Sequence, residues 1–397
     1  MMNVRVIFLI ALGMLLCRVE AFAYEASPQS QQSGSAEVLR DAAKLRAEHR
    51  EDAAATLLEH YLQTHPEDAD VLVEFARIRE ARGNADAAKE LLWQALRASP
   101  NSPPANLMLG RMLLAEHRDP EAMDRFETVL AIDPHSADAR AGELAAVTEL
   151  AVRMREEGHP ERALLALKHS QAYLYDDPQL LLELGIQLNE LGNAAGAVDV
   201  LKTGQKRQPD DLQILYALAR AEFSKQDMAA AESGFRAYLE KRPGDASAHF
   251  GLGRVLEVLQ RTDDARTEFR RSIELQPLQT ESYYELGDME LKAGHDAEAE
   301  QLFAKVLARD AKHGGALTDM GEIDFRRKDF AGAEQWLSKA EAAAPAYPPA
   351  HYYRGLALAR LGRKDESEGE LKKATELDHL QQGSLAAKAG AVEQGKP

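Results

Sequence analysis

Apolar and polar positions along this chain of 397 residues follow a helical pattern that recurs every 34 residues. No segment alternates apolar and polar residues for long enough to predict a strand. Three columns define the repeat: a small residue, an alanine twelve positions later, and a Leu or Phe four positions after that. The small column comprises Ala76, Gly110, Ala151, Gly185, Ala219, Gly253, Gly287, Gly321 and Gly355. The alanine column comprises Ala88, Ala122, Ala163, Ala197, Ala231, Ala265, Ala299 and Ala333, and the large column Leu92, Phe126, Leu167, Leu201, Phe235, Phe269, Phe303 and Leu337.

These columns predict a pair of antiparallel helices in each repeat. The small residue lets the second helix approach closely, and the Leu or Phe fills the space beside that contact. Turn glycines such as Gly83, Gly192, Gly294 and Gly362 favour the left-handed conformation that ends a helix. Prolines that cannot continue a helix close the second one, at Pro66, Pro100, Pro134, Pro209, Pro243, Pro277 and Pro345. Ala311 and His379 replace this proline, so we expect less sharp turns there.

The repeat resembles the tetratricopeptide repeat family. The resemblance rests on the Leu-Gly pairs such as Leu252-Gly253, on the Ala-x3-Phe pairs such as Ala265 and Phe269, and on the closing proline. It implies an all-α fold, an α-solenoid of about ten helical hairpins forming a right-handed superhelix whose first helices line the concave side. The Trp that the family often carries in the first helix is absent, and Lys and Asn of its carboxylate clamp are not matched.

The repeats divide the chain into three regular ones over 36–136, an irregular one over 137–177 and six more over 178–379. The irregular repeat carries seven extra residues, since Ala122 and Ala163 lie 41 positions apart. Seven residues are about two helical turns with little rotation. We therefore expect a first helix lengthened to roughly Ala137–Glu157, with a protruding N-terminus. It is either a docking point or a tolerated insertion.

The two ends of the chain carry different signals. Residues 1–23 predict an export signal with an apolar core and cleavage after Ala23, which places the mature protein in the periplasm or outside the cell, without stable insertion in a membrane. A membrane anchor needs a longer apolar run, and a lipoprotein signal would acylate Cys17 after a smaller residue than Leu16. Residues 24–35 are predicted to be a flexible linker, and 380–397 a disordered tail.

Charge and motifs narrow the function classes. A formal net charge of -17 argues against nucleic acid and anionic lipid as partners. The sequence has no zinc, phosphate-binding or nucleophile motif, so it predicts no enzyme, no cofactor and no metal site. Histidines such as His295 and His313 fall at predicted turns, and acid pairs such as Asp210-Asp211 precede helices, so both sets indicate helix capping.

Residues on the concave side form two ladders that predict a peptide-binding groove. The aromatic ladder comprises Tyr216, Phe250, Tyr284 and Tyr352, and the arginine ladder comprises Arg77, Arg111, Arg220 and Arg254. Aromatic faces beside planar guanidinium groups are typical of protein interfaces. The alternative is that the rings pack against adjacent hairpins and that the arginines pair with neighbouring acids.

The sequence thus predicts an exported scaffold or adaptor that binds a protein segment in its concave groove. The alternative is a structural accessory subunit of an envelope machine for polysaccharide export, pilus assembly or outer-membrane biogenesis. Such a subunit would use the convex side and the ends of the solenoid.

Overall fold

A computed structural model describes the backbone of residues 28–394 and the side chains of residues 34–383. The predicted signal segment 1–23 lies outside this part of the chain. The described residues form twenty α-helices and no strand. The first ten are α1 (Pro28–Ala47), α2 (Glu51–Leu62), α3 (Ala69–Ala81), α4 (Ala85–Ala98), α5 (Pro103–Ala115), α6 (Asp119–Leu130), α7 (Ala137–Glu156), α8 (Pro160–Ser170), α9 (Pro178–Glu190) and α10 (Ala194–Arg207). The others are α11 (Leu212–Ser224), α12 (Met228–Lys241), α13 (Ala246–Val258), α14 (Thr262–Leu275), α15 (Thr280–Lys292), α16 (Asp296–Arg309), α17 (Gly314–Arg326), α18 (Phe330–Ala343), α19 (Pro348–Arg360) and α20 (Lys364–Gln394).

The helices belong to two compact units. One unit comprises the chain up to Glu116 together with Asp124–Ile132. The other comprises His117–Met123 and the chain from Asp133 onward. In the first unit α1 packs on α2 and α3 on α4. In the second, α7 to α20 form seven consecutive hairpins, each packed on the next, and first helices such as α9 and α11 also contact one another. The architecture is an α-solenoid of helical hairpins, as predicted. None of the helices that the structure describes is long and apolar enough to cross a membrane.

The three sequence columns meet in the core of each hairpin. All eight alanines of the second column are fully buried, as are Phe126, Phe269 and Phe303 of the third. A Cβ built on Gly253 would lie 2.7 Å from the ring of Phe269, and one on Gly287 would lie 2.7 Å from the ring of Phe303. Residues of the small column must therefore be small, because the Leu or Phe of the second helix occupies the space that a larger side chain would need.

The turn inside each hairpin places one residue in the left-handed region. The predicted Gly83, Gly192, Gly294 and Gly362 have φ between +75° and +82°, and Gly158 has φ +80°. The other five hairpins use non-glycine residues at the equivalent position, namely His49, His117, Gln226, Gln260 and Lys328. The predicted capping is confirmed in part, since Asp177 and Asp211 accept backbone N–H groups of α9 and α11, and the His313 ring accepts the Ala316 N–H at 3.1 Å. His295 forms no such cap, because its ring contacts Glu290 at 2.6 Å instead.

Three expectations at helix ends differ from the structure. Asp310, which precedes Ala311, has φ -127° and ψ 90°, close to the values of Gln276 before a proline, because its carboxylate accepts the Lys312 N–H at 2.9 Å and holds the turn. Without a proline at His379, α20 continues through the predicted tail to Gln394. Helix α1 begins at Pro28, inside the predicted linker, because proline suits the first helical position and the Ser and Gln residues after it tolerate a helix.

The irregular repeat contains the lengthened helix that its spacing predicts. Helix α7 has 20 residues, whereas the other first helices of the second unit have 13. Its N-terminal turns do not stand free. Arg140 forms an ion pair with Asp176 at 2.9 Å, and the buried Glu143 accepts a hydrogen bond from Ser170. The connection that follows α8 thus folds over the extra turns, and the fully buried Leu174 lies within it.

Candidate functional site

Three of the four predicted aromatic residues are half-buried in their own hairpins. The rings of Tyr216, Phe250 and Tyr284 lie 5.9, 5.9 and 6.0 Å from those of Phe235, Phe269 and Phe303 on the second helix. Burial raises the pKa of the Tyr284 hydroxyl above its ordinary value. Tyr352 is 48% exposed and packs edge-on against Tyr353. Three rings thus pack within their hairpins and keep part of their surface exposed, while peptide binding by this ladder stays a prediction.

The four predicted arginines differ in their partners. Arg254 pairs with Glu285 at 2.8 Å and with Glu257 at 3.8 Å. Arg77 pairs with Glu74 at 2.5 Å. Arg111 and Arg220 are exposed and form no ion pair with any side chain that the structure describes. Charged donors are thus available on α5 and α11, whereas those on α3 and α13 already hold carboxylates.

Two adjoining concavities lie along the first helices of the second unit. One, of about 480 Å³, lies over α9, α11 and the end of α12. The other, of about 520 Å³, lies over α11 and α13. Asn189, Tyr216 and Arg220 line both. Phe250 and Arg254 line only the second. We call this pair of concavities the groove.

Beyond the groove the first helices become acidic. Carboxylate oxygens of Glu257, Glu285 and Asp288 lie within 4.8 Å of one another. Lys292 neutralises part of this charge by pairing with Asp288 at 2.5 Å. Next to them Asp319 is buried, and this burial, with the charges of Asp288 and Glu322, raises its pKa to about 7. The charge on the first-helix face therefore changes from positive at Arg220 on α11 to negative at the carboxylates of α15 and α17.

Each cluster of carboxylates and a histidine that the structure describes also contains an arginine side chain paired with those carboxylates. Arg266 pairs with Glu290 at 2.8 Å beside His295. Arg354 pairs with Glu341 at 2.5 Å and with Glu370 at 3.1 Å beside His351. In both clusters the guanidinium group contacts one oxygen of each of these carboxylates and the histidine ring contacts the other.

Sequence reasoning missed two kinds of residue. His351 is fully buried, where one ring nitrogen lies 2.9 Å from the carbonyl oxygen of Pro345 and the other 2.7 Å from Glu370. His249 makes the same two contacts with Pro243 and Glu268, so both histidines connect a closing proline to a second helix. Asn189 was also missed. It lies four residues after the small column, in a column that the two predicted ladders do not include.

The geometry defines a protein of stacked helical hairpins with a groove along its first helices. Two tetratricopeptide repeat models match the sequence, one over 182–246, 216–280 and 250–314, and the other over 45–108, 81–146 and 290–354. These segments cover more than half of the chain, which therefore belongs to the tetratricopeptide repeat family, as its sequence predicted. Repeats of this family mediate contacts between proteins, so the chain is a protein-interaction scaffold. A search of curated proteins finds no match.

Several solved structures are similar to parts of this chain. A tetratricopeptide repeat protein from Parabacteroides merdae is 17% identical, with a TM-score of 0.47 over 69% of this chain and 98% of its own. PilF of Pseudomonas aeruginosa is 13% identical, with a TM-score of 0.48 over 55% of this chain and 99% of its own. MamA of Desulfovibrio magneticus is 23% identical, with a TM-score of 0.39 over 43% and 96%. At these identities the likeness concerns the fold alone.

Proposed function

We propose that this protein is an exported scaffold that binds an extended segment of a partner protein in the groove over α9, α11 and α13. The observation that carries the proposal is the pair of adjoining concavities that share Tyr216, Arg220 and Asn189. The lining combines a half-buried ring, a guanidinium group without an acidic partner and an amide side chain. Such a combination is typical of interface hot spots.

The shape of the groove favours an extended segment over a globular partner. The two concavities follow one another across successive first helices, so a ligand that fills both must be long and narrow. The backbone of such a segment needs hydrogen-bond partners once water is displaced. Asn189 and Arg220 supply an acceptor and donors on adjacent helices.

Export is the second part of the proposal and rests on the pattern of residues 1–23. The apolar core from Val6 to Leu16 and the small residues before the expected cleavage point support it. The measurement is N-terminal sequencing of the protein recovered from cell fractions. A chain that keeps residues 1–23 and stays in the cytoplasm would contradict this part.

Groove binding is tested by crosslinking partners to the mature protein and to variants. We expect Arg220→Ala combined with Tyr216→Leu to lose most of the crosslinked partner. Arg207→Ala is the matched control, because Arg207 is exposed on the second helix α10, has no described ion pair and does not line the groove. Circular dichroism of each variant establishes that the helices remain folded.

The same experiment separates this function from that of a structural subunit of an envelope machine. If the groove variant captures the same partners as the unaltered chain, the contacts lie on other surfaces and groove binding is wrong. In that case the structural role becomes the better account.

A further inference from the structure

Three arginines line the groove, namely Arg220, Arg242 and Arg254. Of the two on first helices, only Arg220 has no acid to hold it. Its guanidinium group lies 6.0 Å from the centre of the Tyr216 ring, over the same concavities that the ring lines. One hairpin further on, Arg254 is held by Glu285 and Glu257. A planar guanidinium group with free donors is suited to a carboxylate, which it can bind with two parallel hydrogen bonds.

Asn189 adds a second feature that points to a ligand. Its side-chain oxygen is buried, yet no described donor forms a hydrogen bond with it. A buried carbonyl oxygen without a partner costs free energy, which a ligand N–H group placed there would recover. Asn189 and Arg220 line the same two concavities, so one ligand can reach both once the Asn189 amide turns its oxygen into the groove.

The charges along the first helices restrict where an acidic group can lie. One position after the small column, the residues of successive hairpins are Ile186, Arg220, Arg254, Asp288 and Glu322. Burial and the nearby charges of Glu257 and Asp288 raise the pKa of Glu285, whereas Arg254 opposes this shift. An acidic group of a ligand is therefore stabilised at Arg220 and repelled from α15 onward.

We propose that the groove binds an extended acidic peptide segment, holding one side-chain carboxylate with Arg220 and accepting one backbone N–H with the side-chain oxygen of Asn189. This inference rests on the proposed function and names the chemistry of the bound segment. A carboxylate suits the site better than a phosphate does. Glu183 and Glu190 also line the first concavity, so a doubly charged group would meet more repulsion there.

The test begins with a displayed library of random nine-residue peptides selected on the full chain. We expect selected peptides to share Asp or Glu at one position. One selected peptide is then synthesised with both ends blocked, and its Kd is measured by fluorescence anisotropy. Replacing its acidic residue by the amide should raise Kd by about tenfold or more, the effect of losing a charge-assisted hydrogen bond.

Variants of the chain identify the residues that hold the peptide. Arg220→Gln should raise Kd as much as the amide peptide does, and the two changes together should add little. Asn189→Leu should weaken the acidic and the amide peptide by the same factor. Arg207 lies on α10, the second helix of the hairpin that contains Asn189, and does not line the groove. Arg207→Gln should therefore leave Kd unchanged.

The outcomes distinguish this inference from the proposed function. Selected peptides without a shared acid, whose binding survives Arg220→Gln but is lost with Tyr216→Leu, would overturn the acidic-segment inference and retain groove binding. A preference for a phosphorylated residue over Glu at the shared position would also overturn it. Failure to select any peptide would overturn both the acidic-segment inference and groove binding. Binding that survives Arg220→Gln and Tyr216→Leu would also overturn both.

Discussion

The ring of Phe235 occupies the space that a side chain on Gly251 would need. A Cβ built on Gly251 would lie 2.6 Å from this ring, which belongs to the second helix of the preceding hairpin. Two residues later, Gly253 meets the ring of Phe269 in its own hairpin. The Gly-Leu-Gly sequence of α13, which resembles half of a dinucleotide-binding motif, is therefore a packing device between two aromatic rings.

Replacing Gly251 by alanine should destabilise the protein through overpacking. The added methyl group costs about 1–3 kcal/mol, and the better helix propensity of alanine returns about 1 kcal/mol. Urea unfolding followed by circular dichroism measures the difference. Gly369→Ala on α20 is the control, because no atom lies near its Cβ position and the change should stabilise instead. An equal gain for both variants would contradict the close contact with Phe235.

Glycine should stabilise the hairpin turns that now carry other residues in the left-handed region. Gln226, Gln260 and Lys328 have φ between +60° and +67°, which costs a residue with a side chain roughly 1–2 kcal/mol. Part of the gain is lost, because glycine is more flexible in the unfolded chain. We expect each Gly substitution to add about 0.5–1 kcal/mol and to raise Tm. Gly294→Ala should lower Tm by a similar amount, and a fall in Tm for the three Gly variants would contradict the argument.

Features that repeat in every hairpin could be predicted from the sequence. The contact of Gly253 with Phe269 follows from two columns that recur at fixed spacing, and the turn at Gly294 follows from the properties of glycine itself. The turn at Gln226 could not be predicted from the residue type. Nothing in the residue type indicates a positive φ there, and only its place one period after Gly192 does.

Features that depend on a neighbouring hairpin could not be predicted from a column alone. Arg220 and Arg254 occupy the same column, but only Arg254 meets a carboxylate, because Glu285 extends from the next first helix. Asn189 belongs to the groove because α11 of the following hairpin brings Arg220 beside it. Such pairs depend on how the hairpins stack, and the single-column pattern does not contain that information.

The lengthened repeat should depend on the connection that covers its extra turns. Leu174 is fully buried in that connection, so Leu174→Ala should destabilise the protein by about 2–5 kcal/mol. Leu165 on α8 is 67% exposed, and Leu165→Ala should change stability by less than about 0.5 kcal/mol. Urea unfolding measures both. A neutral Leu174→Ala would indicate that the connection is loosely attached and that the insertion is merely tolerated.

Asp319 should make the protein less stable as the pH rises from 4 to 7. Its pKa is raised from an ordinary value near 3.8 to about 7, first by burial and then by Asp288 and Glu322. The folded chain therefore keeps a proton that the unfolded chain releases, and stability falls by up to about 4 kcal/mol across this range before levelling off. Asp319→Asn should remove most of this slope and stabilise the protein at pH 8. Urea unfolding at pH 5 and pH 8 measures it, with the exposed Asp199→Asn as the control. A slope that survives in Asp319→Asn would assign the pH dependence to other groups.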